Sequence, residues 1–338
     1  MNITYLIGNG FDISCGLKTR YVDFINEYLE VESDDPDIRN FKKLIADDYC
    51  TWSDAELAFG QLTEKIESAT KFRKCFRDFL IGLNTYFTKQ EASFDCDAIS
   101  NEESTTFLAG LKHFHVLLKE ESKEILEACV GNGDRNHVTY NFIIFNYTGL
   151  FEKILRCSIP ENSNDLGSIQ IGTKEYPCLL GSLEYAHGSL SSPPLIFGVN
   201  DPDQISHSIL RNNRQLIQTM VKPIESHDTR LNAYNRCKKM IQESDIICTF
   251  GMSIGATDST WWNEILTRLS KNDCANLLIH QWNLECNKTL AGDITRETRK
   301  CKNKLIKSAK VDFEVVTGVK NRIHVLINEN PFHISMHV

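Results

Sequence analysis

The sequence lacks the features that mark several large classes of protein. No stretch of its 338 residues approaches the roughly 20 consecutive apolar residues that a membrane-spanning helix needs. The N-terminal MNITYLIGNGFD has neither the charged region nor the cleavage site of a signal peptide. None of the twelve cysteines belongs to a CxxC pair, and structural zinc sites usually take two ligands from one tight turn. We therefore expect a cytoplasmic protein with free thiols, no bound metal and no membrane contact.

An excess of positive charge is also missing. The formal net charge of −8 leaves no general basic field that would attract a phosphate backbone. Basic residues cluster at 71–77 and 296–307, where their spacing is typical of solvated helix faces. The hydrophobic fraction of 41% and the charged fraction of 24% are those of ordinary globular proteins. We do not expect nucleic acid as a partner.

Strand and helix signals alternate along the chain. Short apolar runs that predict strands are separated by segments with helical periodicity, and they lie at residues 3–7, 138–145, 168–171, 194–199, 245–250, 276–279, 311–316 and 323–327. This alternation predicts a Rossmann-like α/β fold in which helices cover both faces of a mainly parallel sheet. Residues 54–129 show helical periodicity without strand signals, which predicts a helical insertion or lid in one α/β domain formed by residues 1–53 and 130–338.

Two glycines follow the first predicted strand in YLIGNGFD. Gly8 and Gly10 flank Asn9 immediately before a helical segment. Glycines allow the backbone to approach a diphosphate closely, and the N-terminus of the next helix supplies N–H donors. The alternative is a simple tight turn, because Ile13 stands where the GxGxxG fingerprint has its third glycine. The pattern alone leaves both interpretations open.

Asn146 and His187 are two further polar residues that could belong to a binding site. Asn146 follows a buried strand, so its amide is expected to face the ligand crevice at the sheet edge, unless it merely caps the next helix. His187 lies in the loop sequence AHGSL rather than in an amphipathic helix. A histidine with a pKa near 6.5 can exchange a proton at neutral pH. The alternative for His187 is a loop histidine that bonds to backbone groups.

The segment TFGMSIGATD again has the order strand, small-residue loop and helix. Its backbone amides and Ser253 could bind a ribose or phosphate, and Asp258 could bind a ribose hydroxyl. Asp258 also stands where a cap of the next helix is expected. The two roles of Asp258 are compatible.

These segments together resemble the AbiH family of bacteriophage abortive-infection proteins. The resemblance rests on five segments in the family's order, namely IGNGFDISCGLKTRYVDF, WSDAELAFGQL, FNYTGLFEKIL, AHGSL and FGMSIGATDSTWW. It implies a role in defence against phage, with a phage-derived trigger or a companion protein as a partner. A homo-oligomer is expected.

The same segments are more distantly similar to sirtuins and sirtuin-like NADases. Gly8, Gly10 and Gly16 fall at the spacing of the sirtuin glycine loop, Asn146 matches the sirtuin asparagine and His187 matches the sirtuin histidine. The four-cysteine zinc module of sirtuin deacylases has no counterpart between His187 and the FGMS segment. The resemblance therefore implies an NAD-type ligand rather than protein deacylation.

The resemblance implies a specific activity, hydrolysis of the nicotinamide–ribose bond of NAD. Asn146 would orient the attacking water and His187 would act as the base. Eight residues would hold the dinucleotide: Gly8, Asn9, Gly10, Phe11 and Asp12 around the diphosphate and ribose, and Gly251, Ser253 and Asp258 at the adenosine half. The alternative is a non-catalytic module of phage defence that senses a nucleotide or binds a partner.

Overall fold

A computed structural model describes residues 1–49, 54–112, 136–311 and 318–332, with isolated positions at 114–116, 118, 120, 123, 124, 127 and Ile334. The strands are β1 (Asn2–Ile7), β2 (Val138–Ile144), β3 (Asp165–Ile171), β4 (Lys174–Tyr185), β5 (Ile246–Phe250), β6 (Asn276–Gln281) and β7 (Ile323–Ile327). Among the described residues, the α-helices before β2 are α1 (Gly10–Ser14), α2 (Tyr21–Glu30), α3 (Pro36–Asp48), α4 (Ala55–Leu62), α5 (Ala69–Ala92) and α6 (Asn101–Lys112). Those after β2 are α7 (Leu150–Cys157), α8 (Ser208–Arg211), α9 (Arg214–Met220), α10 (Lys222–Glu243), α11 (Ser259–Lys271) and α12 (Ala291–Ala309).

The seven strands form one sheet in the order β3-β4-β2-β1-β5-β6-β7. Every neighbouring pair is parallel except β3 with β4, which is antiparallel. The predicted mainly parallel α/β sheet is therefore confirmed. Since β4, β2, β1 and β5 are consecutive neighbours, the segments that follow their carboxyl ends meet at one edge of the sheet, where α/β proteins bind ligands.

Helices cover both faces of this sheet, as the sequence predicts. Side chains alternate between the faces along each strand, so Tyr5 of β1 packs in one hydrophobic cluster and its neighbour Leu6 packs in another. The Tyr5 face is covered by Phe107 of α6 and Phe151 of α7, and the Leu6 face by Trp262 of α11. Burial on both faces explains why the central strands are almost continuously apolar.

A third hydrophobic cluster lies among the helices that follow β1. Phe24 of α2, Phe59 of α4 and Phe79 of α5 pack there with Phe197 of the loop after β4. The elements between α4 and α6 are all helical, as the sequence predicts for this insertion. Because α6 places Phe107 in the cluster on the sheet, this helix belongs to the main core. The division into a domain and a lid stays a prediction.

One predicted strand is wrong and another cannot be compared. Residues 194–199 form no strand, and only Val199 makes an isolated bridge to Val221. The Val199 N–H donates to the carbonyl of Met220, and its carbonyl accepts from the N–H of Lys222, so its backbone pairs with a helix junction rather than with the sheet. The strand predicted at 311–316 lies almost entirely outside the described residues. No helix in the described part of the chain is long and apolar enough to cross a membrane.

Candidate functional site

The first glycine turn packs directly on the loop that follows β5. The Gly8 N–H donates to the Phe250 carbonyl at 2.8 Å, and the Gly10 N–H donates to the Gly251 carbonyl at 2.9 Å. A Cβ atom on Gly10 would lie 2.5 Å from the Cα of Gly251, which itself has a φ of 69°. These glycines therefore permit close contact between the backbones of two segments that are far apart in sequence. Their role in binding a diphosphate stays a prediction.

This contact predicts the effect of adding one methyl group to the turn. Gly10→Ala is expected to lower the free energy of unfolding by about 1–3 kcal/mol, because backbone atoms would have to move apart. Gly292→Ala is the matched control, since a Cβ there meets nothing within 4 Å. The control should be neutral or stabilising by up to about 1 kcal/mol. Equal effects of the two changes in urea denaturation would contradict the close contact.

Three other residues proposed to bind the dinucleotide have different surroundings. Phe11 is fully buried and packs edge-on against Phe151 at 5.0 Å between ring centroids. The Asn9 amide donates to the carbonyl of Thr19 at 2.6 Å. Ser253 is exposed in the loop after β5. Phe11 thus contributes to the core, whereas Ser253 is accessible to a ligand.

Asp12 and Asn146 form the centre of a buried polar cluster. The Asn146 amide nitrogen donates to the Asp12 carboxylate at 2.7 Å, and the Thr148 hydroxyl donates to the other carboxylate oxygen. All three residues are buried. The helix α7 that follows has Gly149 as its N-cap residue, so the side chain of Asn146 does not cap it.

The charge state of Asp12 is set by its burial. Loss of solvation raises its pKa to about 7, although the hydrogen bonds from Thr148 and Asn146 oppose this rise. The Oδ1 atom of Asn146 is buried and has no hydrogen-bond partner within the described part of the chain. Buried polar atoms are almost always paired. The Asn146 amide, whose Oδ1 atom is unpaired among the described residues, therefore lies beside the Asp12 carboxyl group, whose pKa is near neutral.

The raised pKa of Asp12 predicts a specific pH dependence of stability. Unfolded Asp has a pKa of about 3.9, so Asp12 binds its proton more tightly in the folded protein, and its contribution to stability falls as pH rises from about 4 to 7. Relative to that of Asp12→Asn, the free energy of unfolding of the wild type should fall by up to about 1.4 kcal/mol per pH unit in this window. Urea denaturation from pH 4 to 8 measures this difference. Identical slopes for the two proteins would contradict the raised pKa.

A second buried cluster contains a lysine between two carboxylates. The Lys222 ammonium donates to Glu56 at 2.6 Å and to Asp258 at 2.8 Å. The His187 Nε2 atom lies 3.8 Å from the same Asp258 oxygen. Asp258 occupies the cap position of α11, but its side chain accepts no hydrogen bond from that helix. The ion pair, rather than capping, therefore engages the Asp258 carboxylate.

Burial and mutual attraction determine the charges in this cluster. Burial opposes the charge on Lys222, but Asp258 and Glu56 together raise its pKa above the ordinary value. Burial also works against the ionised form of Asp258, but Lys222 and His187 hold its pKa below the usual range. The pKa of Glu56 rises to about 7 through burial, against the attraction of Lys222. The cluster is thus a Lys222–Asp258 ion pair beside a carboxyl group that can take up a proton.

His187 has a pKa that differs from the sequence-based expectation. Burial and the neighbouring charge of Lys222 lower its pKa to about 3, and the attraction of Asp258 only partly offsets them. The expected titration near 6.5 is therefore wrong for the folded protein, because the imidazole is almost completely enclosed. His187 is neutral at physiological pH.

The segment that follows β2 connects the two clusters. The ring of Phe145 contacts the ring of His187 edge-on, with 5.3 Å between centroids, while the next residue, Asn146, binds Asp12. The Tyr147 hydroxyl donates to the Ile196 carbonyl at 2.8 Å. Burial and then the charge of Glu56 raise the pKa of Tyr147. The structure thus brings together Asp12, Asn146, His187 and Asp258, which follow four neighbouring strands.

Glu56 and Lys222 form the second polar cluster with Asp258, but the sequence patterns did not predict them. Glu56 lies in the first turn of α4, where a carboxylate ordinarily faces solvent and the helix dipole. Lys222 begins α10 before Pro223 and has the appearance of a solvated helix start. One sequence signal could have identified Glu56. Its neighbours in AELAFGQL are mostly apolar, which indicates that this part of the helix is buried.

The two clusters are enclosed in this structure. Asp12, Asn146, His187 and Lys222 are each at most 5% exposed. A cavity of about 500 Å³ lies elsewhere, beside α5, and none of the predicted site residues lines it. In the part of the chain that the structure describes, no three His, Cys, Asp or Glu residues are grouped so as to hold a metal ion. Ligand access to the clusters would require movement of the surrounding segments.

Comparison with known families identifies the class of protein. The family described as "Bacteriophage abortive infection AbiH" matches residues 4–280, which is most of the chain and includes both polar clusters. No curated protein matches the sequence. Because the family match spans well over half of the residues, the chain belongs to the AbiH family of bacteriophage abortive infection proteins.

Proposed function

We propose that this protein acts in abortive infection by binding an NAD-type dinucleotide at the carboxyl edge of the sheet and hydrolysing its nicotinamide–ribose bond. The observation that carries the proposal is the Asn146 amide, whose nitrogen is bound by Asp12 while its buried Oδ1 has no partner among the described residues. Such an acceptor can orient a water molecule or a ribose hydroxyl. Loss of NAD would then stop growth of the infected cell.

The reaction needs two kinds of assistance from the protein. Water attacks the ribose C1′ atom, the carbon–nitrogen bond breaks, and nicotinamide leaves as a neutral molecule with the bonding electron pair. Positive charge develops on the ribosyl group during this step, and one proton of the water must be accepted. Enclosed carboxylates can stabilise such charge more strongly than water does, because the surroundings have a low dielectric constant.

The charge states favour a division of roles between Asp12 and His187. A general base works best when its pKa is near the operating pH, which fits Asp12 at about 7 better than His187 at about 3. We therefore assign proton acceptance to Asp12 and water orientation to Asn146. Neutral His187 would hold a ribose hydroxyl. The remaining dinucleotide contacts would come from residues 8–10 and from the exposed Ser253.

The test is an incubation of the purified protein with NAD, followed by measurement of released nicotinamide. Release by the wild type and its loss in Asp12→Asn, with a smaller loss in His187→Ala, would support the proposal. Folding of each variant is checked by its thermal unfolding transition. Absence of release at full binding of NAD would overturn the hydrolytic activity.

A second candidate is a non-catalytic module that senses a nucleotide or binds a partner. The enclosure of Asn146 and His187 favours it, because a closed site suits a state that changes shape on binding rather than one that turns over substrate. NAD binding that shifts the thermal transition without nicotinamide release would establish this candidate. A phage-derived trigger, a companion protein and a homo-oligomer stay predictions under both candidates.

A further inference from the structure

A second potential binding site lies outside the two polar clusters. The cavity of about 500 Å³ is bounded by one face of α5, by residues 193–195 and by the ends of α9 and α10 that adjoin each other. Its volume falls in the range of small-molecule sites, which is roughly 300–1,000 Å³. Phe76, Leu80 and Leu195 give it apolar walls. Such walls suit a flat, largely apolar body such as an aromatic ring.

A half-buried glutamate with one buried, unpaired carboxyl oxygen, as judged from the described residues, lines this cavity. Glu225 lies in the first turn of α10, and its Oε2 atom is buried with no hydrogen-bond partner among the described residues. Burial raises its pKa to about 8. Leaving such a group unpaired is costly, so a ligand that donates a hydrogen bond there would gain affinity. The cavity therefore offers an unpaired carboxyl oxygen beside apolar walls.

Positive charge is available at the exposed side of the same cavity. Arg73 and Arg77 of α5 line the cavity and are exposed to solvent. Arg73 donates a hydrogen bond to Gln215, whereas Arg77 makes no hydrogen bond or ion pair with any residue that the structure describes. Guanidinium groups bind phosphate oxygens in a bidentate manner. The cavity thus combines a buried carboxyl group, apolar walls and exposed cations.

We propose that this cavity binds a purine mononucleotide, with a ring N–H or amino group on Glu225, the base between the apolar walls and the phosphate on Arg77. Purines carry hydrogen-bonding edges that a carboxyl group can pair with, and their flat rings pack on apolar and aromatic side chains. The site is independent of the proposed hydrolysis. It adjoins the second polar cluster along the chain, because Thr219 and Glu225, which line the cavity, flank Lys222 three residues on either side.

Isothermal titration of the full chain with AMP and with GMP tests this site. At least one mononucleotide should bind, and its nucleoside should bind at least about tenfold more weakly because it lacks the phosphate. Glu225→Ala and Arg77→Gln should each weaken binding of the mononucleotide about tenfold or more. Inorganic phosphate alone should not compete at the same concentration. No binding of either mononucleotide up to about 1 mM would overturn the proposal.

Two controls separate this site from the rest of the protein. Arg299→Gln changes another exposed arginine, on α12, and should leave the affinity unchanged. A loss of mononucleotide binding in Asn146→Ala but not in Glu225→Ala would place the ligand in the polar clusters and overturn the location. If Glu225→Ala does not fold, Ile81→Trp tests the location of the site instead. Ile81 lines the cavity and is 57% exposed, so a larger side chain there should reduce the affinity for the mononucleotide. Unchanged affinity in Ile81→Trp would count against the site.

Discussion

Replacing Lys222 with methionine is expected to lower the free energy of unfolding by about 3–5 kcal/mol, because a buried ion pair that loses one partner leaves an uncompensated charge. The Lys222 side chain is only 4% exposed, and those of Glu56 and Asp258 are 10% and 15% exposed. Glu56 can relieve part of the repulsion by taking up a proton. Most of the destabilisation then comes from the Asp258 carboxylate, which stays charged without its partner. Urea denaturation at pH 7 measures the change.

A control on the same helix distinguishes the buried network from ordinary ion pairs. Lys238 of α10 pairs with Glu264 at 2.6 Å, but its side chain is 29% exposed. Lys238→Met should change stability by no more than about 1 kcal/mol. Adding Glu56→Gln to Lys222→Met should recover part of the lost stability, because it removes one unpaired carboxylate. A loss in Lys222→Met no larger than that in Lys238→Met would show that Lys222 is not required for stability.

Under the proposed hydrolysis, Asn146→Ala is expected to reduce the rate of nicotinamide release from NAD by about 100- to 1000-fold, the usual effect of removing one preorganised hydrogen-bonding group from an active site. The change deletes the buried Oδ1 acceptor and the hydrogen bond to Asp12 together. The measurement is kcat/KM for NAD at pH 7. The loss should appear in kcat, because an oriented water matters in the transition state more than in substrate binding.

Asn141→Ala provides the matched control for this variant. Asn141 lies on β2, the strand that Asn146 follows, and its Oδ1 atom accepts a hydrogen bond from the Ser182 N–H at 2.9 Å. It is thus a nearby asparagine whose acceptor is already paired. Its replacement should change kcat/KM by less than about threefold, in keeping with a small structural effect. A similar loss in both variants would assign the effect to strand stability rather than to chemistry.

The sequence predicted the sheet that positions the candidate residues better than it predicted the side chains that surround them. The position of Asn146 at the sheet edge could be predicted because the strand before it has a local signal, whereas β4, the strand that precedes His187, was not predicted. The pairing of Glu56 with Lys222 could not be predicted, since the two residues are 166 positions apart and both stand at helix starts where charged groups are ordinary. The lowered pKa of His187 likewise depends on enclosure by distant segments. Local patterns carry no information about such desolvation.

The backbone contact between Gly10 and Gly251 has a consequence for the order in which the chain can fold. The turn after β1 is completed only when the loop after β5 packs on it, and β5 is translated long after β1. A nascent chain that ends before Gly251 therefore lacks the backbone partner of the turn that leads into α1. This turn can reach its final packing only after most of the polypeptide has been synthesised.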